Sequence, residues 1–600
     1  MRVDYFFRTT FGLTSLAAAL LVGCGGSSGG TGCGENCHTP PPNIVLSHIG
    51  PYNVALSGQN WVVAGVPSFT LVATGTGFPT TAVVEWNGAE LSTQFGSSTD
   101  LAATVPASLV AAPGTASITL YDPASGVASS ALPLGIASTA AANAGVVQLI
   151  TAAPDGSPGN LSSSVAPSIS ATGRYVSFQS SATNLGAGPS TAFAQIYERD
   201  TCIGAPPSCT PSTIPISVTY DGSPVNDNSF NSSVSGDGRF VAFDSKAWNI
   251  LDFPGAEQIC SGSLVCVYLR DTCIGAGSGC KPQTVIVSTT TGGEYEDGGN
   301  DVISPDGRYV TFNSTGTSAG QNNVFLRDTC VTAPPGCVPT TAIASVSSDG
   351  AAGNSASFSQ TVNSGGRFVA FQSYATNLIP DDTNIYPDIF LRDTCNGAPT
   401  GCTPSTTRVD VGPNGEQTNQ TPDYEVVPSI SNDGRLVAYA SDATNLVTQD
   451  VNGLANIYAR DTCFGAPAGC TPTTSLVSLA NDGSIANSGQ NNQSMSADGR
   501  YIAFASLASN LVPGDTFAAG SWQDIFVRDT CFGAPNGCTP STVRVSVTNL
   551  PQFATQANAI SDFPRISGDG HYVVFISAAT NFLSTPGNGQ YMVYLAKTGF

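Results

Sequence analysis

Positive charge is what this chain has least of. Only 20 of its 600 residues are lysine or arginine, and the lysines are Lys246, Lys281 and Lys597. Set against 42 carboxylates, they leave a formal net charge of −22. Gripping a phosphate backbone needs clustered Lys and Arg. No such cluster occurs, so nucleic acid is not an expected partner. The surplus acid suits an exported soluble body and attracts cations.

Histidine is equally scarce: His38, His48 and His571 are the three. His38 and His48 precede the repeats and His571 lies in the last one, so no two share a repeat, and neither histidine-based acid–base catalysis nor a multi-histidine metal site is expected. Charged residues of either sign make up only 10%. Gly, Ser, Thr, Asn, Pro and Val abound instead, which suits short strands and tight turns and disfavours long helices. A chain of 600 residues exceeds one ordinary domain unless a repeat closes on itself.

One apolar run stands near the N-terminus, from Phe11 to Val22, behind Arg2 and Arg8. It is short for a membrane span. Its end, Leu21-Val22-Gly23-Cys24, resembles a bacterial lipobox. The resemblance implies a lipoprotein signal peptide over 1–23, lipidation of Cys24, and a membrane anchor with a Gly/Pro-rich tether over 24–42. Gly25 stands where an aspartate would favour inner-membrane retention, which points to the outer membrane.

Apart from Cys24, sixteen cysteines remain. Twelve form six pairs of identical spacing: Cys202/Cys209, Cys273/Cys280, Cys330/Cys337, Cys395/Cys402, Cys463/Cys470 and Cys531/Cys538. Each brackets a Gly/Pro-rich turn, so disulfides in an oxidising compartment are expected. Cys33, Cys37, Cys260 and Cys266 complete the even set and are also assigned to disulfides. Zinc would want four convergent ligands. Haem would want C-x-x-C-H, and Cys33-Gly-Glu-Asn-Cys37-His38 has one residue too many. Neither cofactor is expected.

A phrase of the type Ser-x-Asp-Gly-Arg-Tyr-Val-Ala-Phe returns seven times. It is centred at Gly173, Gly238, Gly307, Gly366, Gly434, Gly499 and Gly570, at intervals of 65, 69, 59, 68, 65 and 71 residues. An Ile-Phe-Val-Arg-Asp-Thr-Cys phrase follows each and degenerates to Val593–Lys597 in the last. Alternating apolar residues and Asp-Gly turns predict four strands per repeat, A to D. The last repeat stops after strand C, and an orphan D-type strand, Val146–Ile150, precedes the first. The orphan is expected to complete the last sheet and remove an exposed edge. The expected fold is all-β: a seven-bladed β-propeller of four-stranded blades over 146–600. These phrases resemble the WD40-like repeats of the TolB propeller family, which implies a periplasmic or secreted binding scaffold.

Residues 43–138 read as a separate β-sandwich of about seven short strands. Phe69–Phe78, Val83–Gly88 and Pro113–Leu120 make it similar to IPT/TIG immunoglobulin-like domains, which implies a spacer or adhesive module.

No nucleophile elbow or nucleotide loop is found, and Gly75-Thr-Gly77 reads as a strand-end turn. The prolyl-oligopeptidase arrangement of propeller plus hydrolase is not expected. The arginines of Arg199-Asp200 and its five equivalents are expected to serve the repeat, by pairing between blades or fixing turns. Asn184, Asn377 and Asn445 read as turn residues tolerant of left-handed geometry.

Recognition is expected on the face that carries the variable B–C and D–A loops. The contact residues expected there are Trp248, Asp381, Asp382, Tyr386, Asp450 and Trp522. Asp381, Asp382, Asp450 and Asp515 are candidate Ca²⁺ ligands, but none sits in a complete calcium loop and solvated turns are the simpler expectation. The expected function is a non-catalytic envelope scaffold that binds a protein or a glycan, and no enzyme. The alternatives are a glycan-active hydrolase or lyase with a carboxylate pair in the central funnel, and a rigid surface protein without a specific ligand.

Overall fold

The computed structural model describes residues 44–600 except 52–60, 139, 141–142, 164, 187–192, 252–259, 261–263, 315–320, 421–426, 450, 516–519, 549–555 and 584–586. Cys24, Cys33, Cys37, the signal and tether, and Asp450 lie outside the described residues.

The chain is all-β. Its first ten strands form two sheets. One runs Val45–Pro51, Phe69–Thr76, Asp100–Val105, Ser92–Ser97, and the other is built on Leu132–Ala137, Gly114–Asp122 and Val83–Trp86. Alternate residues of both, such as Leu71, Ala73, Val84, Trp86, Ile118 and Leu120, bury into one shared core, as strand periodicity requires. Ten strands exceed the expected seven because three short edge pieces, Trp61–Val63, Ala89–Glu90 and Val127–Ala128, also pair.

Beyond residue 144, the described residues form seven four-stranded antiparallel sheets, consistent with a β-propeller. In the fourth, the strands are Ser357–Val362, Phe368–Ser373, Asp388–Asp393 and Ser405–Arg408 in sequence order. The seventh departs from that order. Its strands are Ser561–Ile566, Tyr572–Ser577, Met592–Lys597 and Gly145–Leu149. The orphan strand thus pairs antiparallel with the last, Gly145 opposite Lys597 and Leu149 opposite Tyr594.

Cores lie between sheets rather than within them. Ile196 and Ile216 of the first sheet meet Val241, Phe243 and Tyr268 of the second. Val574, Val593 and Leu595 of the seventh meet Val176 and Phe178 of the first, which closes the circle. The repeating Gly-Arg-aromatic phrase serves this packing. Gly238 has φ +80°, and a Cβ there would stand 2.1 Å from the Tyr175 ring of the preceding sheet. The closing junction uses the same device, Gly173 against Tyr572 of the seventh sheet.

The Arg-Asp phrases hold turns and sheets, as expected. Asp461 accepts Arg435 Nε at 2.9 Å and Nη2 at 2.6 Å, and its Oδ1 also takes the Cys463 N–H at 2.8 Å. Burial alone would raise the pKa of Asp461, but these bonds outweigh it and hold the group below its ordinary value. The phrase arginine reaches the neighbouring sheet: Arg392 Nη1 donates to Ser347 O at 3.0 Å, and Arg528 Nη1 to Leu479 O at 2.9 Å.

All six hairpin pairs are disulfides: Cys202–Cys209, Cys273–Cys280, Cys330–Cys337, Cys395–Cys402, Cys463–Cys470 and Cys531–Cys538. Cys260–Cys266 is a seventh. The spacing of Cys538 assigns it a bridging role alone, and the structure adds a second one. Its Sγ also accepts Arg500 Nη2 at 3.8 Å and lies 3.9 Å from Asp529 Oδ2. The bridge sulfur is thus packed on the fork that Arg500 makes with Asp529 at 2.9 and 2.7 Å. Equivalent groups, such as Asp461 with Cys463 and Cys470, bring a carboxylate and two sulfurs within 4.8 Å. Both sulfurs of such a group are bonded to each other, so neither is the thiolate that a zinc site requires. The last sheet has His571 and Lys597 in place of the Arg–Asp pair and takes its fourth strand from elsewhere, so it has no hairpin to brace.

One expectation is corrected. Asn184, Asn377 and Asn445 do not adopt positive φ. They are clamps: Asn377 Oδ1 accepts Asn354 N at 2.8 Å while its Nδ2 donates to Ala352 O at 2.9 Å.

Candidate functional site

The first strands of all seven sheets converge on one cavity of about 440 Å³. Five of these strands bulge near their start, among the described residues. The bulged residues Asn231, Asn300, Ser359, Asn492 and Phe563 have φ of 46 to 55°. Asparagine tolerates that region. Phe563 does not do so readily, and such strain costs on the order of 1–3 kcal/mol. A bulge bends the strand and re-aims the side chains that follow it.

Past the bulge position comes a repeated serine. Ser168 Oγ accepts Val234 N at 3.1 Å, Ser233 Oγ accepts Ile303 N at 3.1 Å, Ser429 Oγ accepts Met495 N at 2.9 Å, and Ser494 Oγ accepts Ile566 N at 3.1 Å. Each bond ties one sheet to the next. Each leaves the hydroxyl hydrogen without an acceptor among the described residues. All four serines line the cavity.

In the seventh sheet the serine slot holds Arg565, which also lines the cavity. Its Nη1 donates to Pro564 O at 3.0 Å. Among the described residues it makes no ion pair. Burial lowers its pKa, and Asp562 works in the opposite sense, although an arginine stays charged. The Asp562 Oδ1 is itself engaged by Asn492 Nδ2 at 2.8 Å and Phe563 N at 2.7 Å.

Across sheets two and three lies a pair of acids. Asp301 lines the cavity, and its carboxyl lies near enough to that of Asp244 for the two to influence each other's ionisation. Asp244 Oδ2 accepts Asn231 Nδ2 at 2.8 Å and Asn300 N at 2.9 Å. Burial pushes Asp244 up to about 6. Burial and then the Asp244 charge push Asp301 well above the ordinary carboxylate range. The two acids therefore hold their protons more tightly than ordinary carboxyls and titrate as one coupled unit.

The residues expected to make contacts are spread over three sheets. Trp248 and Trp522 are exposed, in the B–C segments of sheets two and six. Asp381 is exposed with φ 61°, and Tyr386 is half-buried. Asp382 is placed differently. Its side chain is 4% exposed and lies 2.7 Å from Arg408, which also holds Asp388 at 3.2 Å. Burial drives Asp388 up to about 7. Asp515 likewise sits 3.3 Å from Arg544 in the sixth sheet. These acids anchor their own loops.

Sequence reasoning missed Arg565, Asp301 and Asp244. Their signal is departure from the repeat. Arg565 replaces a serine, Asp301 aligns with Ser232, Gln360 and Gln493, and Asp244 aligns with Gln179, Asn313 and Gln372.

No protein-family model and no curated protein matches this chain. Solved β-propeller structures are similar to it. The β-propeller domain of the Trilobed protease from Pyrococcus furiosus is 8% identical, with TM-score 0.37 over 72% of this chain and 95% of that one. A TolB-assigned protein of Agrobacterium tumefaciens is 15% identical, with TM-score 0.27 over 52% and 94%. Prolyl oligopeptidase B from Galerina marginata is 12% identical, with TM-score 0.34 over 78% of this chain and 54% of that one. This chain spans about half of that peptidase. The expectation of a non-catalytic scaffold for a protein or glycan is corrected by these neighbours, because peptidases stand among them beside the TolB-type protein. Sheet packing dictates the repeat and leaves the chemistry at the centre free to vary.

Proposed function

We propose that the chain is an exported, lipid-anchored protein in which an IPT/TIG-like sandwich precedes a closed seven-bladed propeller, and that the propeller's central channel is a receptor site for a small polar solute. The signal-like N-terminus ending at Cys24 supports export and anchoring. The circular order of seven sheets supports the blade count. The channel carries the functional reading: one cavity of about 440 Å³ receives polar side chains from the first strand of nearly every sheet. Pockets of about 300–1,000 Å³ with a few placed polar groups are the usual seats of small molecules.

Native mass spectrometry of the purified chain, equilibrated with a small-molecule extract below about 1 kDa, tests the reading. The wild type is expected to gain a discrete mass. The channel-filling double variant Ser233→Trp/Ser429→Trp is expected to lose it while keeping its disulfides and a cooperative melt, lowered by the loss of the two inter-sheet bonds that these serines accept. Equal uptake by both proteins would place the solute elsewhere.

A further inference from the structure

Resting on the channel reading, we infer that the solute is an oxyanion, whose phosphate, sulfate or carboxylate group sits on Arg565 and the hydroxyls of Ser168, Ser233, Ser429 and Ser494. The donor inventory argues for this class. A guanidinium carries five N–H donors, and Pro564 O takes a single bond from Arg565. The four serine oxygens are already occupied as acceptors by backbone N–H groups from the next sheet. What they have left to offer the cavity first is their O–H. Apart from the Asp301 carboxyl and the Gln493 side-chain carbonyl, which are acceptors, the lining presents donors around one positive charge, which a ligand made of negatively charged acceptors fits best.

Charge gives a second argument. In a chain of net charge −22, a cation recessed in the central cavity without a paired carboxylate is conspicuous. Asp562 acts on it only at a distance, with no ion-pair contact among the described residues, and an incoming anion supplies a direct partner for the recessed charge. Among the described residues none of the nearby acids pairs directly with the guanidinium. Asp562 is held by Asn492 and the Phe563 N–H, Asp244 is held by Asn231 and the Asn300 N–H, and Asp301 faces Asp244. A neutral sugar would leave the guanidinium without a direct ionic partner, and a metal cation would add to its charge.

Isothermal titration of the whole chain with inorganic phosphate, sulfate, acetate and glucose tests the inference. Wild type should bind at least one anion with one site per chain and should not bind glucose. Arg565→Gln should weaken that anion roughly 10- to 100-fold, and Arg565→Lys, which keeps the charge, should weaken it less. Arg174→Gln, at an outer repeated arginine, should bind like wild type. The relative strength of phosphate, sulfate and acetate identifies the head group. Unchanged anion binding in a folded Arg565→Gln overturns the inference. Glucose binding that the Ser233→Trp/Ser429→Trp plug abolishes overturns the oxyanion and leaves the channel reading standing. No binding of any probe, together with no mass gained from the extract, removes both.

Discussion

Glu198 occupies a strand slot that Leu269, Leu326, Leu391 and Leu595 fill in other sheets. It is 1% exposed, and among the described residues neither carboxyl oxygen has a hydrogen-bond partner. Burial, and secondarily Asp200, raises its pKa well above the ordinary value. It is thus folded as the neutral acid, whereas the unfolded chain ionises it above about pH 4.3. Its stabilising contribution is therefore complete below that value and is lost as pH rises toward the folded pKa. Glu198→Leu should stabilise the protein at pH 8 by on the order of 1–3 kcal/mol, and by less at pH 4, as read from urea unfolding. The same kind of slot comparison finds Arg565 in a serine position. The sequence carried that signal, but one isolated deviation among many arginines in repeated phrases shows its meaning only once seven strands are brought side by side.

Hairpins and their bridges belong to the next scale. Each Cys-x6-Cys bridge closes a turn already braced by an Arg–Asp fork, for example Arg435 on Asp461 beside Cys463–Cys470. A loop this short is worth about 2–3 kcal/mol in the chain-entropy model. Cys463→Ser/Cys470→Ser should cost about that much, lowering the melting temperature without unfolding the other sheets. Strands, Asp-Gly turns and bridges were legible because each repeats and each follows from local chemistry. The pairing of Cys531 with Cys538 was legible in this way, whereas the seat of the Cys538 sulfur on Arg500 was not, because that arginine lies on another strand. The B–C loops were not legible either. Asp382 and Tyr386 looked alike as exposed polar residues, yet Asp382 is drawn inward by Arg408, which lies 26 residues on in sequence and belongs to a different strand. No local pattern encodes that pairing. The bulges are a similar case. Asn231, Asn300 and Asn492 recur in sequence, but their left-handed geometry and the aim of the residues behind them come from strand register.

For the whole molecule, closure is the organising fact. The Ile150 N–H donates to Val593 O at 2.8 Å, at the seam where the first segment completes the last sheet. Ile150→Pro removes that bond and should cost about 3 kcal/mol or more, with limited proteolysis opening near residues 145–150. Titration is also a property of the whole. Asp200, Asp271, Asp328 and Asp461 are held below their ordinary values because arginine forks and backbone N–H groups outweigh burial. Their contribution is present above the unfolded pKa and disappears as pH falls through the folded one. Glu198, Asp301 and Asp410 are raised chiefly by burial and act in the opposite sense, eroding stability as pH rises. Urea unfolding from pH 2 to 9 should therefore peak between about pH 4 and 6. A flat profile would mean that the two sets are not perturbed in the folded state.

The central claim is that the channel receives an anion at Arg565, and anomalous diffraction from crystals soaked in selenate tests it most directly. The account predicts a selenium peak inside the channel, within hydrogen-bond reach of Arg565 and the serine hydroxyls, that is absent from Arg565→Gln crystals. An empty channel, with selenate found only on the outer arginines of the repeated forks, would contradict it.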